Sequence, residues 1–202
     1  MNLKNYWYLF ENALPSRTCD DIIKYGQQQS EQIAVTGDFT TGDDISKLYK
    51  TRNSSIVWMS DHWIYKAVQP YIHEANRLAG WNFEWSVSEA CQFTKYSTNQ
   101  HYTWHQDSWA NPYNKPRTNQ DGLIRKLSVT VSLCDGETYE GGDLEFDLRN
   151  RNDGNSVIVT SQSARVKGSI TVFPSFVWHR VTPVTKGTRY SLVIWNLGNP
   201  FI

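Results

Sequence analysis

After Gly80 the spacing of apolar residues changes period, and this break restricts the chain to a small set of architectures. Upstream of it, Trp63, Ala67, Val68, Tyr71, Ile72, Ala75 and Leu78 recur at helical spacing. That predicts a helix over about Asp61 to Ala79, with Gly80 as its stop. Downstream come short strand-like runs bounded by Gly, Asn, Asp or Pro: WSVSEACQFTKYS, KLSVTVSLC, GGDLEFDL, NSVIVTSQ, GSITVFPS and RYSLVIWNL. Helices followed by a series of strands predict a mainly β chain, a sandwich or distorted barrel buttressed by N-terminal helices.

The beginning of the chain fits the same plan. YWYLFENAL reads as a strand, and a helix is expected over about Thr18 to Gln29, started by Pro15 and Ser16 with Cys19, Ile22 and Ile23 inward. Thr36 to Asp44 reads as a surface loop and TRNSSIVWM as a short strand. Ser108 to Asp121 is a long polar connection, the type of segment that often serves as a lid or binding loop. No repeat, low-complexity tract or linker divides the chain, so residues 1–202 are expected to form a single domain, with support over about 1–85 and a β core over about 86–202.

Charge and cysteine usage remove several functions. Lys plus Arg and Asp plus Glu balance at 20 each, so there is no basic footprint of the kind that phosphate backbones require, and no nucleic-acid partner is expected. The three cysteines, Cys19, Cys91 and Cys134, show no CxxC spacing, which suits reduced thiols in a reducing compartment. No apolar run reaches the roughly 18 residues of a membrane span. MNLKNYWYLFENAL also lacks the basic-then-apolar layout of a secretion signal, so a cytoplasmic protein without a membrane partner is expected. The nine tryptophans suit half-buried pleated surfaces, and some are free to line a groove.

The string Tyr102-Thr-Trp-His105-Gln-Asp107 carries the most chemistry. On an extended strand residues i and i+2 face the same way, so His105 and Asp107 can converge on one point. His179, after the GSITVFPS run and a Ser175 to Trp178 turn, is the best third ligand. Two histidines and one carboxylate make the facial triad of non-haem Fe(II) oxygenases, which leaves metal positions open. Arg189, in the next strand, can point its guanidinium into the same cavity, where a planar fork suits a carboxylate.

This ordered set resembles the 2-oxoglutarate/Fe(II) dioxygenase superfamily, and its surroundings resemble the prolyl 4-hydroxylase-like subgroup. The likeness runs through FENALPSRTCDDII, Arg52 to Trp58, Tyr96 to Asp107, EGGDLEF and VKGSITVFPSFVWHRVTPVTKGTRYSLVIW. It implies a double-stranded β-helix, a cupin-like jelly-roll whose open mouth holds Fe(II) on His105, Asp107 and His179. By the same resemblance Arg189 pairs with the distal carboxylate of 2-oxoglutarate, Tyr96 donates to that group, and Leu144 and Val181 form apolar walls. Ser132 stands where some relatives offer a second tyrosine to the co-substrate, which implies a different arrangement there. The implied reaction consumes O2 and 2-oxoglutarate, releases succinate and CO2, and hydroxylates a C–H bond, with ascorbate assisting.

For the substrate, the resemblance implies a proline-containing peptide or protein. Tyr102 and Trp195 match the aromatic enclosure of a proline ring, Trp58 and Arg52 match groove residues, and Arg125, with Lys126 beside it, matches an arginine that contacts the peptide backbone. Two alternatives stand beside this one: a dioxygenase acting on another side chain, a free amino acid or a small metabolite, and a non-catalytic jelly-roll binding module whose histidines are incidental.

Overall fold

The computed structural model describes residues 3–36, 45–148 and 155–201. The chain begins with β1 (Tyr8–Phe10) and α1 (Ser16–Gln27), then β2 (Gln32–Ile33), α2 (Ile45–Thr51), β3 (Arg52–Asn53), β4 (Ser55–Met59) and α3 (His62–Leu78). After the change of period come β5 (Val87–Ser88), β6 (Cys91–Tyr96), β7 (His101–His105), β8 (Ile124–Ser132), β9 (Tyr139–Gly141), β10 (Leu144–Asp147) and β11 (Ile158–Thr160). The closing strands are β12 (Ile170–Pro174), β13 (Trp178–Val181), β14 (Val184–Gly187) and β15 (Arg189–Gly198). No helix among the described residues is long and apolar enough to cross a membrane.

The larger sheet has the order β1-β12-β8-β15-β6-β4-β2, with β5 against β15; the smaller has the order β11-β10-β13-β7-β3, and β14 pairs with β9. From β6 to β7 to β8, and again from β12 to β13 to β15, the chain crosses between the two sheets and back, which is the winding of a double-stranded β-helix. The expected jelly-roll is therefore the fold. The N-terminal part does more than buttress it, since β1, β2 and β4 extend the larger sheet and β3 extends the smaller.

The period of two along the central strands builds both faces of the larger sheet. Phe93, Leu127, Val129, Val131, Ile170, Val172, Leu192 and Ile194 form the outer face and pack with Ile64, Val68, Ile72 and Ala75 of α3 and with Cys19 and Ile22 of α1. The alternate positions face the smaller sheet and are largely polar: the registers align Tyr96 with Arg189, Thr94 with Ser191, and Ser191 with Ser132. The helices thus cover an apolar face, and the larger sheet turns a largely polar face toward the jelly-roll interior.

Several expectations need correction. Trp63 and Leu78 are 40% and 42% exposed, because the stripe that α3 buries is narrower than its apolar spacing suggested. Ile23 is half-buried rather than fully inward. TRNSSIVWM forms two strands that part at Ser54, β3 joining one sheet and β4 the other. Neither α2 nor β14 was anticipated, and Trp178 begins β13 rather than closing a turn. Most of the Thr36 to Asp44 loop lies outside the described residues.

Leu192 has no exposed surface, so Leu192→Ala should lower unfolding stability by about 2–5 kcal/mol. Leu78→Ala, on the exposed side of α3, should change it by no more than about 0.5 kcal/mol; urea denaturation of both variants checks the assignment.

Candidate metal and co-substrate site

β7 and β13 are antiparallel neighbours in the smaller sheet, and their register sets His105 opposite His179. The two rings lie with centroids 4.1 Å apart. His105 is the last residue of its strand, and Asp107 lies beyond the strand end, so strand alternation is not what directs the carboxylate. Its backbone N–H donates to the Ser175 carbonyl at 2.8 Å, and the Ser128 hydroxyl donates to its Oδ2 at 2.7 Å. Ser175 in turn bonds Ser128, hydroxyl to hydroxyl, at 2.9 Å. The Asp107 oxygens then lie 3.6 Å from His105 Nε2 and 3.5 Å from His179 Nε2. Ligand atoms of all three residues fall within 4.8 Å of one another.

Hydrogen bonds settle the tautomers. His105 Nδ1 lies 2.8 Å from the Thr103 carbonyl, and His179 Nδ1 lies 2.9 Å from the Val177 carbonyl. A carbonyl only accepts, so each Nδ1 carries the proton and each Nε2 keeps its lone pair for a metal. Burial, reinforced by the neighbouring His179, pushes the His105 imidazole down to about 3. Burial would push the Asp107 carboxyl up, but His179, His105, Arg125 and the Ser128 hydroxyl outweigh it and bring the group down to about 2. At neutral pH His105 is an uncharged donor and Asp107 a carboxylate, so neither has to lose a proton before binding a cation. Two imidazoles and one carboxylate fit Fe(II) with positions left open.

Beyond the triad extends a narrow cavity. Leu144 and Val181, aligned across β10 and β13, form apolar walls, and Arg189 and Tyr96, aligned across β15 and β6, lie at the polar end. Arg189 is only 5% exposed; its Nη1 donates to Ser191 Oγ at 3.0 Å, and its guanidinium lies 5.4 Å from the Tyr96 ring centre. Among the described residues no carboxylate pairs with it. Gly142 permits this placement, because a Cβ there would approach Arg189 Cδ to 3.1 Å, and its φ of +63° suits glycine. The Ser132 hydroxyl donates to the Cys134 carbonyl at 3.1 Å, so the position noted for its missing tyrosine is engaged with the backbone.

The remaining expected residues separate into two layers. Tyr102 stacks on His105 at 3.5 Å between ring centres, and the Arg52 guanidinium lies 4.6 Å from the Tyr102 ring centre. Two such neighbours cannot share a face, so both faces of Tyr102 are covered. Trp195 is buried under Arg125, whose guanidinium sits 3.9 Å from its ring centre, while Trp58 is 44% exposed at the rim. Arg125 is held by Glu89 at 2.6 Å and reaches toward the Asp107 carbonyl at 3.5 Å; Lys126 instead lies over Phe201. Trp58, Trp109, Arg125 and Trp195 line an outer groove that shares Arg52, Tyr102 and Asp107 with the inner cavity.

Residues that sequence reasoning missed hold this arrangement together: Ser128 and Ser175 under Asp107, Ser191 under Arg189, Gln92 under Arg52, and Glu89 with Tyr113 beside Arg125. Period two in KLSVTVSLC and RYSLVIWNL could have placed the serines on the arginine's side of the sheet; nothing local marks Glu89 as a partner of Arg125.

A family model described as the 2OG-Fe(II) oxygenase superfamily matches residues 91–196, a span that holds the triad and the Tyr96–Arg189 end of the cavity. The chain belongs to the 2OG-Fe(II) oxygenase superfamily. Fe(II) and 2-oxoglutarate are the metal and co-substrate of that superfamily, and the donor set and the buried guanidinium fit them. A PKHD-type hydroxylase of Xanthomonas campestris is 30% identical over 103 residues, 51% of this chain and 41% of that protein. One from Alteromonas mediterranea is 38% identical over 107 residues, again 51% and 41%. The matched stretch thus spans less than half the length of these curated relatives. Among solved structures, a Pseudomonas putida prolyl-4-hydroxylase aligns with TM-score 0.66 at 21% identity, over 98% of this chain and 95% of that one. A Trichoplax adhaerens prolyl hydroxylase, in complex with a hypoxia inducible factor oxygen degradation domain peptide fragment, aligns with TM-score 0.68 at 18% identity, over 96% and 84%. At these identities the superfamily members share the fold.

The low proton affinity of His105 has a consequence for stability. An unfolded histidine binds a proton below about pH 6.5, whereas buried His105 stays neutral down to about 3. Across that interval the unfolded chain holds the extra proton, so stability falls as pH falls. Metal-free protein should lose stability from this group as pH falls from about 6 to 4, and His105→Gln should flatten that slope in urea titrations.

Proposed function

We propose that this protein is an Fe(II)- and 2-oxoglutarate-dependent oxygenase that hydroxylates a prolyl residue in a peptide or protein. The single observation that carries the reading is Arg189: a guanidinium buried in the triad's own cavity without a carboxylate partner among the described residues. An isolated buried charge is costly, and a dicarboxylate reaching from the metal to Arg189 removes the cost. Leu144 and Val181 flank the methylene segment of such a ligand, and Tyr96 stands beside its distal end. His105, Asp107 and His179 would hold the iron, which when bound would divide O2 between two products, one oxygen atom going to succinate as 2-oxoglutarate loses CO2 and the other into a substrate C–H bond.

The chain's own residues bind, orient and exclude water. The Nδ1 hydrogen bonds keep both imidazoles turned toward the metal, and Ser128 fixes the Asp107 carboxylate. Tyr102 and the walls of the cavity leave it little room for stray solvent, which protects an oxidising site from unproductive turnover. A peptide substrate is supported by the outer groove, which is lined by Trp58 and Trp109 and reaches Asp107 of the triad, and by the hydroxylase names of the relatives. Because both faces of Tyr102 are covered, its edge and hydroxyl, with Trp58, are what it can present to a proline ring. Residues Ser108 to Asp121, directly after Asp107, carry Trp109 into the groove and serve as the binding loop.

The test is succinate release from 2-oxoglutarate with Fe(II) and ascorbate under air, across proline-containing and proline-free peptides, with mass spectrometry for one added oxygen. Succinate that depends on a prolyl peptide, with oxygen on proline, is expected; oxygen found only on another residue would reassign the substrate. Asp107→Ala should abolish turnover, and Arg189→Lys should raise the 2-oxoglutarate requirement by about tenfold or more, because a point charge replaces a planar fork. An unchanged requirement in Arg189→Lys would remove the clamp from the mechanism.

A further inference from the structure

The cavity contains a second buried cation that the co-substrate does not use. Arg52 is 5% exposed, as buried as Arg189, and it lines both the inner cavity and the outer groove. Its Nη2 donates to Gln92 Oε1 at 2.6 Å and its Nε to Ser54 Oγ at 3.3 Å. Both acceptors are neutral, and no described residue accepts from its Nη1. No carboxylate among the described residues forms an ion pair with it.

Charge counting shows what it lacks. Of the described groups facing the cavity and groove, Arg52 and Arg189 are positive, Asp107 is negative, and Arg125 is cancelled by Glu89. The described side chains thus leave one net positive charge. A divalent cation and a doubly charged 2-oxoglutarate cancel each other, so this set remains positive when loaded, with Arg52 as its cation nearest the groove without an ionic partner among the described residues. A buried guanidinium with a free Nη1 forms its strongest hydrogen bonds with an ionised oxygen.

Resting on the oxygenase reading, we infer that the substrate carries a carboxylate close to the hydroxylated residue and that Arg52 receives it. The carboxylate has two sources, an acidic side chain next to the target in the peptide or the terminal carboxylate of a chain or amino acid ending at the target. Arg52 is therefore a specificity-determining residue, and the stack of Arg52 on Tyr102 on His105 places its ligand beside the metal.

Binding is measured without turnover, on protein loaded with Mn(II) in place of iron and with 2-oxoglutarate, by quenching of tryptophan fluorescence. The probes are one prolyl peptide with Glu or Gln beside proline, and one ending in proline as the free acid or the amide. At least one acid should bind about tenfold or more tightly than its neutral partner, and which pair shows the gap names the source. Arg52→Gln should collapse the gap by weakening the acid alone, and Arg52→Lys should restore part of it. Equal binding of acid and neutral partners, or equal weakening of both in Arg52→Gln, overturns the inference by making Arg52 a structural support. Peptide-free succinate formation with iron in the wild type distinguishes the two levels. If wild type shows it while the gap is absent, only this inference fails; if wild type lacks it and binds no 2-oxoglutarate, the oxygenase reading fails and takes the inference with it.

Discussion

The alternation of side chains along β6, β8, β12 and β15 is the constraint on which the rest of the molecule depends. One side of these strands must be apolar, because α1 and α3 lie against it, and the other must tolerate polar groups, because it lines a cavity with charges in it. Buried hydroxyls resolve the conflict. Thr94, Ser128, Ser132, Thr171 and Ser191 fill the inner face without the volume of larger polar side chains; Ser128 donates to Asp107, and Ser191 accepts from Arg189. The apolar face carries the stability and the hydroxyl face carries the site. Each strand contributes to both, and neither can be exchanged for the other without shifting register.

The smaller sheet has a different task. It supplies the two histidines from adjacent strands, while Asp107 arrives from outside regular structure and is held by a backbone bond to Ser175 and a side-chain bond to Ser128. The site therefore joins the two sheets: its imidazoles belong to one and its carboxylate is oriented by the other. Arg52 and Arg189 occupy the gap between the sheets, and no carboxylate among the described residues pairs with either, which leaves room for an organic anion to do so.

Much of this was legible in the chain. The change of period at Gly80 announced the architecture, and His105, Asp107, His179 and Arg189 could be singled out as the side-chain types that metal and carboxylate chemistry need; the fold brings all four to one cavity. Other features were not legible for physical reasons. The pairing of β3 with β7 and of β2 with β4 involves strands of two residues, too short for a period to show. Trp63 and Leu78 fit the helical spacing yet face solvent, since spacing marks the direction of an apolar stripe better than its width. The bond of Arg125 to Glu89 joins residues 36 positions apart, and the burial of both faces of Tyr102 follows from packing alone.

The alignment of His105 with His179 also bears on how the chain reaches its fold. A slip of one residue between β7 and β13 would turn one imidazole to the opposite side of the sheet and leave the metal with an incomplete set of donors. An ion that binds only the correctly paired strands stabilises that pairing over every slipped alternative. The metal that equips the protein for oxidation would then also serve as a proofreader of strand pairing, favouring the chain that has assembled its smaller sheet in register.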